Sequence, residues 1–395
     1  MPSTDLDGAR FTAIDWEETA DARTRPRGRT VGLVLALVVL AALFVYDLLV
    51  EPKFLVAPLR WDLNRIDWLL VLSLVILGRY VGFPLLADRR RSGRYVREFL
   101  SRPAALASVV ILVGFALVAL VGPEVLDRSW PRLEHANQPP FFASTSVEGK
   151  FGFNCVGPVV EGQCQGTLQY PLGTTNIGES RSLLLARGTR VAVVLGLSAA
   201  MIMGVVATAV GTTAGYLGGW VDDVLMSYVD VQQTVPAMVV YIVLATMFLG
   251  NFTGVTQGGL FAVAVVFGLF DWGGIARIVR SEVMARRSAG YVRAAKSAGA
   301  SDLHVIRKHI IPNSTGTIVT SLTRRIPLLI IAQTILAWLE LHRAGSKSWG
   351  RLLNIAPGVN WQSTFVVILL VLLTVSLSLF GDEVRDVIEP STEVS

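Results

Sequence analysis

Two stretches of this chain fix the solvent it lives in. Residues 104–122 (AALASVVILVGFALVALVG) and residues 191–217 carry no charged side chain at all. A helix needs about 20 predominantly apolar residues to cross the hydrocarbon core of a bilayer. A buried helix of a water-soluble protein rarely stays uncharged for so long, because one of its faces meets water. The composition agrees: 16% of the 395 residues are charged and 52% hydrophobic, whereas soluble domains carry about 25% charge. The fold class is an all-α polytopic membrane protein.

Eight candidate spans follow, at residues 31–50, 66–87, 104–122, 191–217, 224–250, 259–280, 316–340 and 362–380. Lys and Arg gather in cytoplasmic loops. Residues 88–102 hold Arg89, Arg90, Arg91, Arg94, Arg97 and Arg102, and residues 277–308 hold Arg277, Arg280, Arg286, Arg287, Arg293, Lys296, Arg307 and Lys308. Eight spans put both blocks in the cytoplasm together with both termini; six or seven would leave one block on the wrong side. The net charge of +5 is then a matter of topology and gives no reason to expect nucleic acid. Residues 1–30 form a polar cytoplasmic tail ending in Arg23, Arg25, Arg27 and Arg29, and the first apolar run reads as a retained anchor rather than a cleaved signal. Residues 31–103 comprise two spans and a basic loop without motifs, and residues 104–390 a denser core that contains an extracellular segment, 123–190, and a cytoplasmic one, 281–313.

The only cysteines, Cys155 and Cys164, fall in the extracellular segment. Their surroundings favour a disulfide over two free thiols, and two ligands are too few for a metal site. The acceptor pattern Asn251-Phe252-Thr253 lies hard against the membrane and is read as a chance match.

Residues 291–313, YVRAAKSAGASDLHVIRKHIIPN, differ from everything around them. Ala294, Ala295 and Ala298 share one side of a short helix, where small side chains let another backbone come close. Gly299 is placed to end that helix in a left-handed conformation. Ser301 then caps a second helix with Asp302 in its first turn, and Arg307, Lys308 and His309 crowd the last turn. Pro312-Asn313 reads as a stop. A plain basic loop explains the charge but not this order of small residues, break, cap and stop, which suits docking into a groove of another protein.

This island resembles the EAA loop of ABC importer permeases of the dipeptide/oligopeptide/nickel family, which reads roughly Y-V-E-A-A-x-x-x-G-A-S and closes on H-x-x-P-N. Tyr291, Val292, Ala294, Ala295, Gly299, Ala300, Ser301, Ile306, His309, Pro312 and Asn313 match. YPLGTTNIGESRSLLLARGTR, AGYLGGWVDDVLMSYVDV, DWGGIARIVRSEV, the SWG at 348–350 and the closing GDEVRDVIEP resemble other segments of that family, so the likeness covers about residues 104–390. It implies a type I importer transmembrane domain with two extra N-terminal spans in the cell membrane. It also implies a second permease subunit as heterodimer partner, two cytoplasmic ABC ATPases that hold ATP and Mg, and an extracellular substrate-binding protein. Tyr291, Arg293, Ala294, Ala295, Ala298, Gly299, Ser301, His309, Pro312 and Asn313 would then couple the permease to an ATPase. The chain departs from the pattern at Arg293, where the family has Glu. Thr175, Glu179 and Ser180 replace Asp, Arg and Asp, Gln333 replaces Glu, and Ala-Trp-Leu-Glu-Leu-His at 337–342 replaces Ser-Phe-Leu-Gly-Leu-Gly.

Charges inside spans are costly and point to function. Arg324 and Arg325, about ten residues into the seventh span, are candidates with Gln333 for a translocation path that receives an anionic group. The structural alternative pairs the two arginines with Asp230 or Asp271, or lets them snorkel. Asp230, with Gln232, Gln233 and Pro236 after it, reads as a structural break, and Arg79 as a snorkelling cation. No phosphate-binding G-x-x-x-x-G-K-[ST] loop or hydrolase motif is present. The chain itself is therefore expected to bind no cofactor or metal and to catalyse nothing, with His135, His304, His309 and His342 scattered. Competing readings are a secondary transporter or channel working without ATP, and a non-transporting assembly subunit.

Overall fold

The computed structural model describes residues 28–49, 64–83, 89–126, 132–146, 154–247, 259–341, 348–355 and 361–388. Residues 23, 25 and 27, the 251–253 acceptor pattern and His342 lie outside them. Two compact units are present, residues 1–60 and 61–395. The first contains α1 (Gly28–Leu49), whose Val34, Leu35, Val38 and Val39 are each more than half exposed. An apolar surface of that kind is compatible with lipid, not water.

The second unit holds the rest. α2 (Arg65–Leu77) runs into one π-helical turn, Gly78–Gly82. Then come α3 (Arg89–Ser101) and α4 (Pro103–Leu126), three short strands, β1 (Ser144–Ser146), β2 (Val159–Val160) and β3 (Gln163–Gln165), and the 37-residue α5 (Arg181–Leu217). α6 (Gly219–Thr234), α7 (Ala237–Met247), α8 (Leu260–Phe270) and α9 (Gly273–Arg287) follow. The chain ends with α10 (Gly290–Ser297), α11 (Asp302–Val305), α12 (Ile311–Trp338), α13 (Trp349–Ile355) and α14 (Trp361–Ile388).

α5 is the central post: α2, α4, α8, α9 and α12 all pack on it. Its small residues make this possible. A Cβ on Gly204 would come within 2.7 Å of Leu322, and one on Gly211 within 2.8 Å of Val279. In lipid, where apolar side chains gain little by leaving solvent, such close backbone approach is what holds helices together. Trp349, 1% exposed, closes the top of the packing. It lies against Gly188, donates from Nε1 to the Leu185 carbonyl at 3.2 Å, and meets the Phe115 ring edge-on at 6.2 Å.

Among the described residues, four helices are long and apolar enough to cross a membrane: Pro103–Pro123, Arg181–Leu217, Asp302–Trp338 and Ser363–Val387. Two further pairs pass only together and are broken: α6–α7 bends by 77° and α8–α9 by 45°. The expected spans at 224–250 and 259–280 are thus broken helices. Pro236 accounts for the first break, since it has no N–H and its ring opposes helical continuation. Beside this break, neither atom of the buried Gln232 amide has a hydrogen-bond partner. The two N-terminal candidates are shorter among the described residues: the apolar part of α1 is Val31–Asp47, and α2 with its π turn ends near Phe83. α2 is nonetheless built into the core of its unit. Ile66 and Trp68 are buried, and buried Asp67 accepts from Arg190 of α5 at 3.2 Å.

Residues 132–146 and 154–180 form a small layer. β3 lies between β1 and β2, antiparallel to both, and a disulfide joins Cys155 to Cys164. Buried Gln138 stitches the layer together, donating to the Asn154 carbonyl at 2.7 Å and accepting from the Val156 N–H at 3.0 Å. Thr174, fully buried, donates to the His135 carbonyl at 2.6 Å. Thr175, where the family has Asp, accepts from the Glu179 N–H at 3.1 Å. A hydroxyl here closes the turn as a carboxylate would.

Candidate functional site

The island has the expected helix, break and second helix, with two corrections, at Ser301 and at Pro312-Asn313. α10 ends at Ser297, and Gly299 holds φ 80°, a left-handed conformation that favours glycine. Ser301 stands at the N-cap position but makes no side-chain capping bond. Pro312-Asn313 is not a stop. α11 passes through a π-helical turn, Ile306–Ile310, directly into α12 with Pro312 in its first turn. There a missing N–H is tolerated, and the wider turn relieves the clash of the ring with the preceding carbonyls. Asn313 Nδ2 donates back to the His309 carbonyl at 2.6 Å. The second half of the island and the long span form one continuous rod.

Three fully buried aliphatics, Val292, Val305 and Ile310, root the island in the main core. Tyr291, Arg293, Ala294, Ala298, Gly299, Ser301, Pro312 and Asn313 are left exposed, while Ala295 and His309 are half-buried. The exposed side also carries Leu303, 57% exposed, with His304, Arg307 and Lys308. Such a surface combines small residues with basic ones.

Residues that sequence reasoning passed over attach this surface to α5. The Tyr216 hydroxyl, at the end of α5, donates to Asp302 Oδ1 at 2.5 Å. Lys296 Nζ lies 3.4 Å from the same carboxylate and 4.8 Å from the Tyr216 ring centroid. Arg287 donates to the Tyr216 carbonyl at 2.8 Å. The available signal was the Tyr of AGYLGGWVD, whose charged partners lie 70 or more positions on. Nearby, Arg280 clasps Asp222 with two bonds of 2.5 Å, joining α9 to α6.

The three residues proposed for a path do not come together. Arg324 is exposed and pairs with Asp382 of α14, at 2.6 Å. It belongs to the charged end of α14, where Arg102 also meets Glu383 at 3.1 Å. Gln333 is 1% exposed, and its Nε2 has no partner. Arg325 pairs with Asp271, the first of the two residues between α8 and α9. Asp230 pairs with Arg277 instead.

The model of the binding-protein-dependent transport system inner membrane component family matches residues 207–394, which include the island, the broken α8–α9 pair and α12. The likeness to that family covers just under half of the chain. Over 302 residues it is 28% identical to the oligopeptide transport system permease protein OppC of Haemophilus influenzae, covering 74% of this chain and 86% of the relative. It is 27% identical over 302 residues to the dipeptide transport system permease protein DppC of Bacillus subtilis, covering 74% and 84%. The dipeptide permease DppC of Lactococcus lactis is 32% identical over 229 residues, covering 56% and 64%. What the chain resembles throughout is a membrane permease component of binding-protein-dependent transport.

Proposed function

We propose that this permease imports peptides, with a second permease subunit, two cytoplasmic ATPases and an extracellular binding protein, and that residues 290–313 are its ATPase-coupling element. One observation carries the coupling role. The island presents a small-residue, basic surface on the outside, while its inner side is rooted in the core and its second helix is continuous with the span α12. A push on that surface moves a span without an intervening hinge. Arg293, exposed on that surface, meets an acidic position on the ATPase. The peptide class rests on the relatives' names. The eight-span topology with both termini and the island in the cytoplasm belongs to the same reading. So do the extracellular placement of residues 123–190 and the location of ATP and Mg on the partner subunits.

The test is reconstitution. Proteoliposomes with the co-purified subunits should take up a labelled peptide only when ATP is inside. Uptake without ATP, or purification that recovers no ATPase, rejects the coupling role and returns the chain to the class of stand-alone carriers.

A further inference from the structure

The Arg325–Asp271 pair sits at mid-height in the helix bundle. A Cβ on Gly268 would lie 2.5 Å from Ile202, and the Cβ positions of Gly196 and Gly204 lie 3.1 and 2.7 Å from Ile326 and Leu322. Both charges are therefore level with residues 196–204, the middle of the 37-residue α5. Ionised groups at that depth are expensive and are retained for a purpose. This pair lies at two interrupted helices: Asp271 lies in the break of α8–α9, and Tyr241 and Gln232 flank the break of α6–α7. Interrupted helices at the midplane are a recurrent way to build a ligand site in a membrane.

The polar groups around the pair are not used up by the fold. The Tyr241 hydroxyl, both atoms of the Gln232 amide and Arg325 Nε are buried without a hydrogen-bond partner. Buried polar groups in a finished core are nearly always satisfied, so this cluster is arranged for something other than the fold. Asp271 itself is 10% exposed at its side chain and Arg325 30%. Next to Asp271 and three residues after Arg325 in sequence stand apolar Phe270 and Leu328, 43% and 51% exposed.

We infer that Asp271, Arg325, Tyr241 and Gln232 form a station in the translocation path for a zwitterionic ligand, a short peptide with free ends. The inference rests on the peptide-importer reading and adds a site and a charge rule to it. A zwitterion exchanges one ion pair for two: its ammonium takes Asp271 and its carboxylate takes Arg325. No charge is left alone at any stage, whereas a ligand with one blocked end strands one member of the pair in the bundle, which is strongly unfavourable. Tyr241 and Gln232 supply a hydroxyl and an amide for the peptide backbone. The apolar side chains of Phe270 and Leu328 accept any residue, so the charge rule acts without choosing a sequence.

The test uses the assembled complex in nanodiscs without its binding protein, so that selection by that partner plays no part. A dipeptide with free ends and a benzoylphenylalanine side chain is photolysed, and labelled segments are mapped. Labelling should fall within residues 219–247, 260–287 or 311–338 and be competed by Ala-Phe. N-acetyl-Ala-Phe or Ala-Phe amide should be needed at about 100-fold higher concentration for equal competition. Tyr241→Phe should reduce labelling about threefold to tenfold with unchanged subunit recovery. The combined Asp271→Asn, Arg325→Gln variant, which leaves no lone charge, should abolish it. Labelling elsewhere, equal competition by blocked peptides, or wild-type labelling of both variants would overturn the station. A complex that imports peptides with ATP yet fails this test loses the station alone; one that imports no peptide loses both readings.

Discussion

Glu340 adopts φ 57° at the end of α12, where the resemblance has glycine. A side chain in that conformation costs about 1–2 kcal/mol. Its carboxylate is ion-paired to Arg351 of α13, but the pair is exposed at both ends, and such pairs are worth about 0–1 kcal/mol. The backbone term therefore outweighs the charge term. Glu340→Gly should be more stable than Glu340→Ala by about 1 kcal/mol, although both lose the pair; equal melting temperatures in detergent would show that the conformation is not strained. The departure from the family pattern was plain in the sequence, but not its compensation, since Arg351 is placed by a turn between helices. The same limit applied to the arginines. Asp271 was one of two partners considered for them and is the one found for Arg325, whereas Asp382, the partner of Arg324, lies 58 positions away on another helix.

At the scale of elements, run length and charge revealed where helices lie but not where they break. An apolar run reads the same whether straight or bent by 77°. Nor does composition tell a glycine that packs from one that idles. On α5 the two kinds of neighbour differ. An Ala methyl at Gly204 meets the flexible end of Leu322, which has room to change rotamer. At Gly211 it meets the Ala276 carbonyl at 2.5 Å and the Val279 Cβ at 2.8 Å, neither of which can swing away. Gly211→Ala should cost about 1–3 kcal/mol and Gly204→Ala clearly less, read as apparent melting temperature and recovered complex; the opposite order would mean that α9 is free to shift. The π turn before Pro312 is an element of the same kind, invisible to periodicity. Pro312→Ala restores an N–H and lets residues 306–310 tighten into an α-helix, rotating the island by about 100° about the axis of α12. Peptide moved per ATP should fall several-fold in that variant, with some loss of stability as Val292 and Val305 are turned out of the core. Unaltered coupling would make the π turn incidental.

For the whole molecule, the question is how force entering at the island is shared. One route is the rod of residues 302–338, which needs no side-chain contact. A second runs from Asp302 through the Tyr216 hydroxyl into α5, the helix on which most others pack. Arg293 marks the entrance to both, while Tyr216 serves only the second. Arg293→Glu should therefore lower ATP-driven uptake and the ATPase activity of the complex together, because the contact with the ATPase is weakened before force is transmitted. Tyr216→Phe keeps the buried ring and leaves Asp302 to Lys296, so the ATPase should run at close to its normal rate while uptake drops. Measured in the same liposomes, the two variants separate entry from transmission. If Tyr216→Phe changed hydrolysis and uptake in proportion, α5 would be following α12 by packing alone, and the hydroxyl would be a local clasp on the island with no part in moving the post.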